Sequence, residues 1–250
     1  MNEKLKIHKV LTVPPGLEKA CGNIYAACRK ENKKVQTFFL TDCENNTLPI
    51  LYYATVDKQV VGFISVDCFE NIYAEICGFV LPDFRNQKIM SHLFDTFLKD
   101  YDECYINTFL RKKKSTEVKI LSHLGFEYAS TEYAMKYDLT KLDFQQLPSF
   151  IQEECTDTDL KFCLFKNFLP IGLCMAEHVS SNTVCIHDVS IDENFRRKSY
   201  SFQMLNHILS YLSKQYDYAV LHVTKENSAA VSLYKKLGFV ITDSAFVYKI

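Results

Sequence analysis

Two stretches in the C-terminal half combine residue types and spacings that could do chemistry. The first runs Val189, Ser190, Ile191, Asp192, Glu193, Asn194, Phe195, Arg196, Arg197, Lys198, Ser199, Tyr200, Ser201. It reads as a strand that turns into the start of a helix. A helix start offers free backbone N–H groups at the positive end of the helix dipole, which suits a pyrophosphate. Ser199 and Ser201 are small enough to let phosphates approach the backbone, and Arg196, Arg197 and Lys198 add positive charge. The second stretch runs from Asn227 to Phe239, with Asn227 as a helix N-cap and Gly238 as the C-terminal stop. Ala230, Leu233 and Leu237 make its inward face, and Tyr234, one turn after Ala230, brings a hydroxyl near that face.

The elements that must position these residues occur twice along the chain. Gly62 in an apolar strand-like run, Arg85 before a helix and Leu124-Gly125-Phe126 after one recur in the same order as Gly172, Arg196 and Leu237-Gly238-Phe239. The strand pair Val60 to Val66 and Tyr73 to Val80 matches Ile171 to Glu177 and Thr183 to Ile191. Met90, Leu93, Phe94, Phe97 and Leu98 share one helical face, as do Met204, Leu205, Ile208, Leu209 and Leu212. A strand (Glu103 to Asn107; Tyr218 to Thr224), a second helix and a closing strand follow, the order of a mixed α/β sheet. The boundary is expected between Thr140 and Pro148. The first half also carries an amphipathic helix around Leu17 to Cys28, and the shorter lead-in to Gly172 implies that the second copy lacks some of the opening helices.

Composition narrows the function. The chain has 250 residues, 48% hydrophobic and 24% charged, and a formal net charge of -1, so it has no general attraction for nucleic acid. The one basic run, Arg111 to Lys114, reads as a solvated loop. No apolar run is long enough for a membrane span, and the stretch Met1 to Lys9 lacks the apolar segment of a signal peptide, so a cytoplasmic protein is expected. The 10 cysteines form no C-x-x-C pair and read as reduced core thiols, with no metal site.

With these landmarks in hand, the chain resembles the GNAT N-acetyltransferase superfamily, in a tandem form with a degenerate N-terminal copy. The family's Arg/Gln-x-x-Gly-x-Gly/Ala loop is matched by Arg196 to Ser201. Its Asn-x-x-Ala-x-x-x-Tyr-x-x-x-Gly-Phe helix is matched by Asn227, Ala230, Tyr234, Gly238 and Phe239. The resemblance implies two tandem GNAT-like α/β domains, 1–142 and 143–250, each a mixed, mostly antiparallel central sheet flanked by helices. It implies transfer of an acetyl or other acyl group from acetyl-CoA to an amine by direct attack, without metal, in the C-terminal domain. Val189, Ser190 and Ile191 would pair with the pantetheine arm, Arg197 to Ser201 would hold the pyrophosphate, Asn227 would contact the cofactor and Tyr234 would protonate the departing thiolate. Glu177 or Asp188, with His178 and His187 nearby, could relay the amine's proton through water, although each also reads as a solvated strand residue. Ser199 stands where the family usually has Gly, so a positive φ there would weaken the cofactor site.

In the first copy Lys88 and Met90 replace the small loop residues, and Leu121 and Lys114 stand where Tyr234 and Asn227 stand, so ordinary coenzyme A binding is not expected there. The acceptor is an amine compatible with small molecules or protein amines, and no oligomeric state is read from the sequence. The alternative is a non-catalytic acyl-CoA-binding or scaffold protein with the same fold.

Overall fold

The computed structural model describes residues 5–33, 35–36, 38–40, 48–113, 115–155 and 159–250. The chain divides into two compact units, Met1–Ser130 with Ala245–Ile250, and Thr131–Ser244. The first contains β1 (Lys6–Val10), α1 (Pro15–Glu31), β2 (Leu51–Val56), β3 (Gln59–Phe69), β4 (Tyr73–Val80), α2 (Ile89–Leu98), β5 (Tyr105–Leu110) and α3 (Thr116–His123). Its strands lie in the order β1-β2-β3-β4-β5, antiparallel except for the parallel pair β4 and β5. The α2 face (Ile89, Leu93, Phe94, Phe97) packs on one side of this sheet with Ile64 and Val66. Helix α1 covers the other side, with Cys21, Ile24 and Cys28 against Leu51, Phe63 and Phe79.

The second unit repeats this plan. After β6 (Glu127–Asp138) come β7 (Ile151–Cys155), β8 (Asp159–Lys166), β9 (Leu169–Ser180), β10 (Thr183–Ile191), α4 (Tyr200–Leu212), β11 (Tyr218–Thr224), α5 (Ser228–Leu237) and β12 (Val240–Lys249). The strand order is β6-β11-β10-β9-β8-β7, and β10 and β11 are the parallel pair. Helices α4 and α5 both pack into one core, with Met204, Ile208, Val231 and Tyr234 against Cys174, Ile186 and Leu221. Nothing in this unit corresponds to α1 among the described residues, as the short lead-in implies. Strands β6 and β12 each carry residues of both units.

Each repeated landmark answers a backbone requirement. Gly62 pairs with Val80 and Gly172 with Ile191; a Cβ on Gly172 would sit 2.6 Å from Ile191 Cδ1 and 3.2 Å from the Ser190 carbonyl oxygen. The Nε of Arg85 donates to the Val80 carbonyl at 3.3 Å, and that of Arg196 to the Ile191 carbonyl at 2.9 Å, tying each loop to the strand it leaves. Gly125 and Gly238 end their helices at φ 92° and 108°, a region that disfavours side chains. Of the 10 cysteines, Cys21, Cys28, Cys68, Cys77 and Cys174 are buried free thiols.

Candidate functional site

In the second unit β10 and β11 pair only over Thr183–Cys185 and Tyr218–Val220. Beyond that point they part, β10 running on to Ile191 and β11 to Thr224. The register of β10 on β9 slips between His187 and Ser190, and Asp188 sits at φ 48°, the mark of a β-bulge. Among the described residues no side chain donates to a β10 carbonyl from Ile186 to Ser190. A splayed edge with spare backbone groups can pair with an extended ligand as a further strand would.

The loop from the end of β10 to α4 lies at the mouth of this splay. Arg196 is extended, Arg197 adopts φ 61° and Ser199, the N-cap of α4, φ 63°. Arg197, Lys198 and Ser199 are exposed and Tyr200 and Ser201 half-buried, so the first amides of a 13-residue helix meet solvent beside two cationic side chains. Arg196, expected as a charge for phosphate, instead braces the loop through Ile191, and its guanidinium also reaches Glu193 at 3.4 Å. Lys198 donates to the Asn194 carbonyl at 2.9 Å, and Tyr200 accepts from Lys166.

These parts lie within the stretch that sequence comparison matches to a known family. Residues 128–239 match the acetyltransferase (GNAT) family. The second unit is a GNAT-family domain. No curated protein sequence matches the chain. In fold, the chain is similar to a GCN5-related N-acetyltransferase from Sphaerobacter thermophilus (TM-score 0.70, 12% identity, 98% of this chain and 95% of that one). It is also similar to a tandem GNAT protein from the clavulanic acid biosynthesis pathway (TM-score 0.66, 9% identity, 99% and 98%). A third such structure is a GCN5-related N-acetyltransferase from Kribbella flavida (TM-score 0.53, 9% identity, 92% and 95%). The GNAT-like fold thus extends over the whole chain, and both units carry it.

Within the GNAT domain, α5 buries Tyr234 in the core near Cys174. Asn227 caps the helix by accepting from the Ala230 amide at 3.1 Å, and Gly238 closes it. The inward face expected at Ala230, Leu233 and Leu237 is only half-buried, and its buried centre is Val231 and Tyr234. The Tyr234 ring packs edge-on to Phe239 at 5.8 Å. Its hydroxyl has no hydrogen-bond partner among the described residues, although the side chain is only 8% exposed. Burial, with a smaller contribution from the neighbouring Cys174 thiol, pushes this phenol up to about 12. It therefore keeps its proton at neutral pH.

Side chains of opposite parity along β9 and β10 point to the other face of the sheet. Glu177 is exposed there, and Asp188, at the bulge, is exposed as well. The structure gathers Glu177 and His187, both candidates from the sequence, with Asp159, which the sequence did not single out, one ligand atom of each lying within 4.8 Å of the others. His187 bridges Asp159 and Asp188, with ring nitrogens 3.3 Å from each carboxylate. Two carboxylates and an imidazole could hold a cation or pass a proton. Cross-strand pairing creates the group, since Asp159 faces Glu177 across β8 and β9, and no sequence spacing signals that. His178 lies apart, its ring 5.9 Å from that of Tyr216. Val189 and Ile191 turn their side chains into the core, which leaves backbone groups for any ligand, and Ser190 is exposed.

The first unit has the same loop backbone, with Asn86 at φ 62° and Lys88 at φ 60°, but different side chains. Its β4 shows no bulge against β3. The Ile76 carbonyl, freed where β4 leaves β5, already accepts from Gln36 Nε2 at 3.1 Å and Thr108 Oγ1 at 2.8 Å. The basic run following β5 is a bend, with Lys112 donating to Asn32 and Lys113 over the Tyr128 ring; Lys114 lies outside the described residues.

Proposed function

We propose that the GNAT domain binds an acyl-CoA, with acetyl-CoA as the donor, and transfers the acyl group to an amine in the cytoplasm. The observation that carries this reading is the buried, unpartnered Tyr234 hydroxyl, near the Cys174 thiol of β9 in the unit whose β10 and β11 part. A buried phenol normally finds a hydrogen-bond partner, and one left over in a cleft suits a ligand atom.

On this reading the backbone of Val189, Ser190 and Ile191 pairs with the pantetheine arm, and the bulge at Asp188 turns an N–H towards the thioester carbonyl. Amides from Arg197 to Ser201 hold the pyrophosphate, Arg196 holds the loop in place, and Asn227 and Ala230 border the pantetheine end. The donor supplies an activated thioester carbonyl. An amine must lose its proton to attack it, and Glu177, Asp188 and His187 lie on the acceptor face to receive that proton through water.

Tyr234 donates a hydrogen bond to the leaving sulfur. A phenol near 12 facing a thiol near 8.5 is opposed by on the order of 5 kcal/mol in full proton transfer. It therefore stabilises the developing charge rather than giving up its proton beforehand.

Calorimetric titration with acetyl-CoA tests the binding. One site per chain is expected in the parent protein and in Lys88→Glu. Binding should be lost in the double variant Ser199→Lys, Ser201→Met, which copies the first unit's loop at the same φ angles. Tyr234→Phe should bind with unchanged affinity and slow acetyl transfer by about 10- to 100-fold. Unchanged turnover in Tyr234→Phe would favour the second reading, an acyl-CoA-binding or scaffold protein, to which the solvent exposure of Glu177 and Asp188 already lends support. No binding by the folded parent would reject both.

A further inference from the structure

The first unit holds a cavity of about 590 Å³ that the acyl-transfer reading does not use. Its walls include Ile64, Ile76, Phe94, Leu110, Leu121 and Leu124, and α3 forms its roof. That helix carries the apolar residues Val118, Ile120 and Leu121, with Leu124 just after it, yet none of them is fully buried, and Ile120 is 45% exposed. Its counterpart α5 buries Val231 and Tyr234. Val118, Leu121 and Leu124 thus pack on the core only in part, and Leu121 and Leu124 also face the cavity, whereas α5 buries its inward residues fully at Val231 and Tyr234. Such a volume is typical of small-molecule sites, at roughly 300–1,000 Å³.

The polar groups indicate which ligand fits. A pantetheine arm would need backbone partners on β4, but the Ile76 carbonyl is taken by Gln36 and Thr108, and the Met90 side chain lies over Gly78. A chain without hydrogen-bonding groups needs none of these. At the mouth, Arg85 is paired with Glu31, and Glu117 accepts from Asn32 with Lys112 nearby, so both lining carboxylates are compensated. Lys88 and Lys119 line the cavity as exposed side chains, leaving an excess of positive charge at its rim.

We propose that this cleft binds an amphiphilic anion, a fatty acid, with its hydrocarbon chain under α3 and its carboxylate at Lys88 and Lys119. The site is separate from the acyl-CoA site and does not depend on transfer activity.

The test is calorimetric titration of the full chain with octanoate, decanoate and dodecanoate below their aggregation limits. The expected result is one site per chain, about fourfold tighter for each added methylene, as burial of a CH₂ predicts. Lys88→Glu with Lys119→Glu, both at exposed positions, should weaken dodecanoate at least tenfold while leaving acetyl-CoA binding unchanged. The double variant Ser199→Lys, Ser201→Met should leave dodecanoate binding intact, so failure of the acyl-CoA reading and failure of this one are separable. Absence of binding, many equivalents per chain, or equal affinity for dodecanol would overturn the proposal. Displacement of dodecanoate by acetyl-CoA, mole for mole, would overturn it too, by making the cleft an ordinary cofactor site.

Discussion

Ser199 is held at φ 63°, a conformation that costs a residue with a Cβ about 1 kcal/mol relative to Gly. Ser199→Gly should therefore raise stability by roughly this amount and bring the helix amides closer to any phosphate. Urea unfolding with and without acetyl-CoA measures both effects, and a stability loss would show that the Ser hydroxyl makes an interaction stronger than the strain. Gly238 presents the reverse case. A Cβ there would meet the Tyr137 ring at 2.7 Å with φ at 108°, so Gly238→Ala should cost about 2 kcal/mol or more in the same measurement. These glycines, and the arginines that brace the loops, were visible as repeated landmarks because each serves a local backbone need. That Asp159 joins Glu177 and His187 was not visible, because the three lie on different strands and meet only through register.

At the scale of elements, the two copies share the loop backbone and differ in what packs beside it. Helix α5 is capped at both ends and seated in its core, whereas α3 shows no side-chain cap bond and its Val118 and Leu121 are only part-buried. Asn227→Ala should cost about 1 kcal/mol through loss of the cap to the Ala230 amide, seen as a lower melting temperature. Ser115→Ala at the start of α3 should cost much less, since its side chain does not cap. Comparable losses would mean that the two helices are equally seated. The helices and strands were legible from periodicity, with β5 displaced by two or three residues from the expected Glu103 to Asn107. The splay and the bulge were not, because both arise where pairing stops rather than where a residue type demands it.

Over the whole molecule, buried thiols make stability sensitive to alkali. Burial foremost pushes Cys21 and Cys174 up to about 12 and Cys77 to about 11, from an ordinary value of 9.0. The native chain holds these protons to higher pH than the unfolded chain does. Their contribution is thus intact below about pH 9 and is lost as pH rises through 11 to 12. Unfolding free energy should fall by at least about 2 kcal/mol between pH 9 and 10.5, at up to about 1.4 kcal/mol per pH unit for each thiol. A flat profile would mean that the thiols reach solvent. Division into pieces is a second matter at this scale. A fragment starting at Leu142 lacks β6, whose Glu132–Asp138 pairs with β11, and should fail to melt cooperatively in circular dichroism. A sharp transition would show that β11 tolerates an open edge.

No helix among the described residues is long and apolar enough to cross a membrane, and the two copies of one α/β plan could be read from three landmarks and two periodicities. These features are local: a glycine, a cap or an apolar stripe acts within a few residues of chain. Tertiary structure alone decided that Tyr234 is buried without a hydrogen-bond partner among the described residues, that the Ile76 carbonyl is already satisfied, and that the first unit keeps a cavity beside a helix it buries only in part. Each of these depends on which groups from distant segments meet and on whether they fill the space between them.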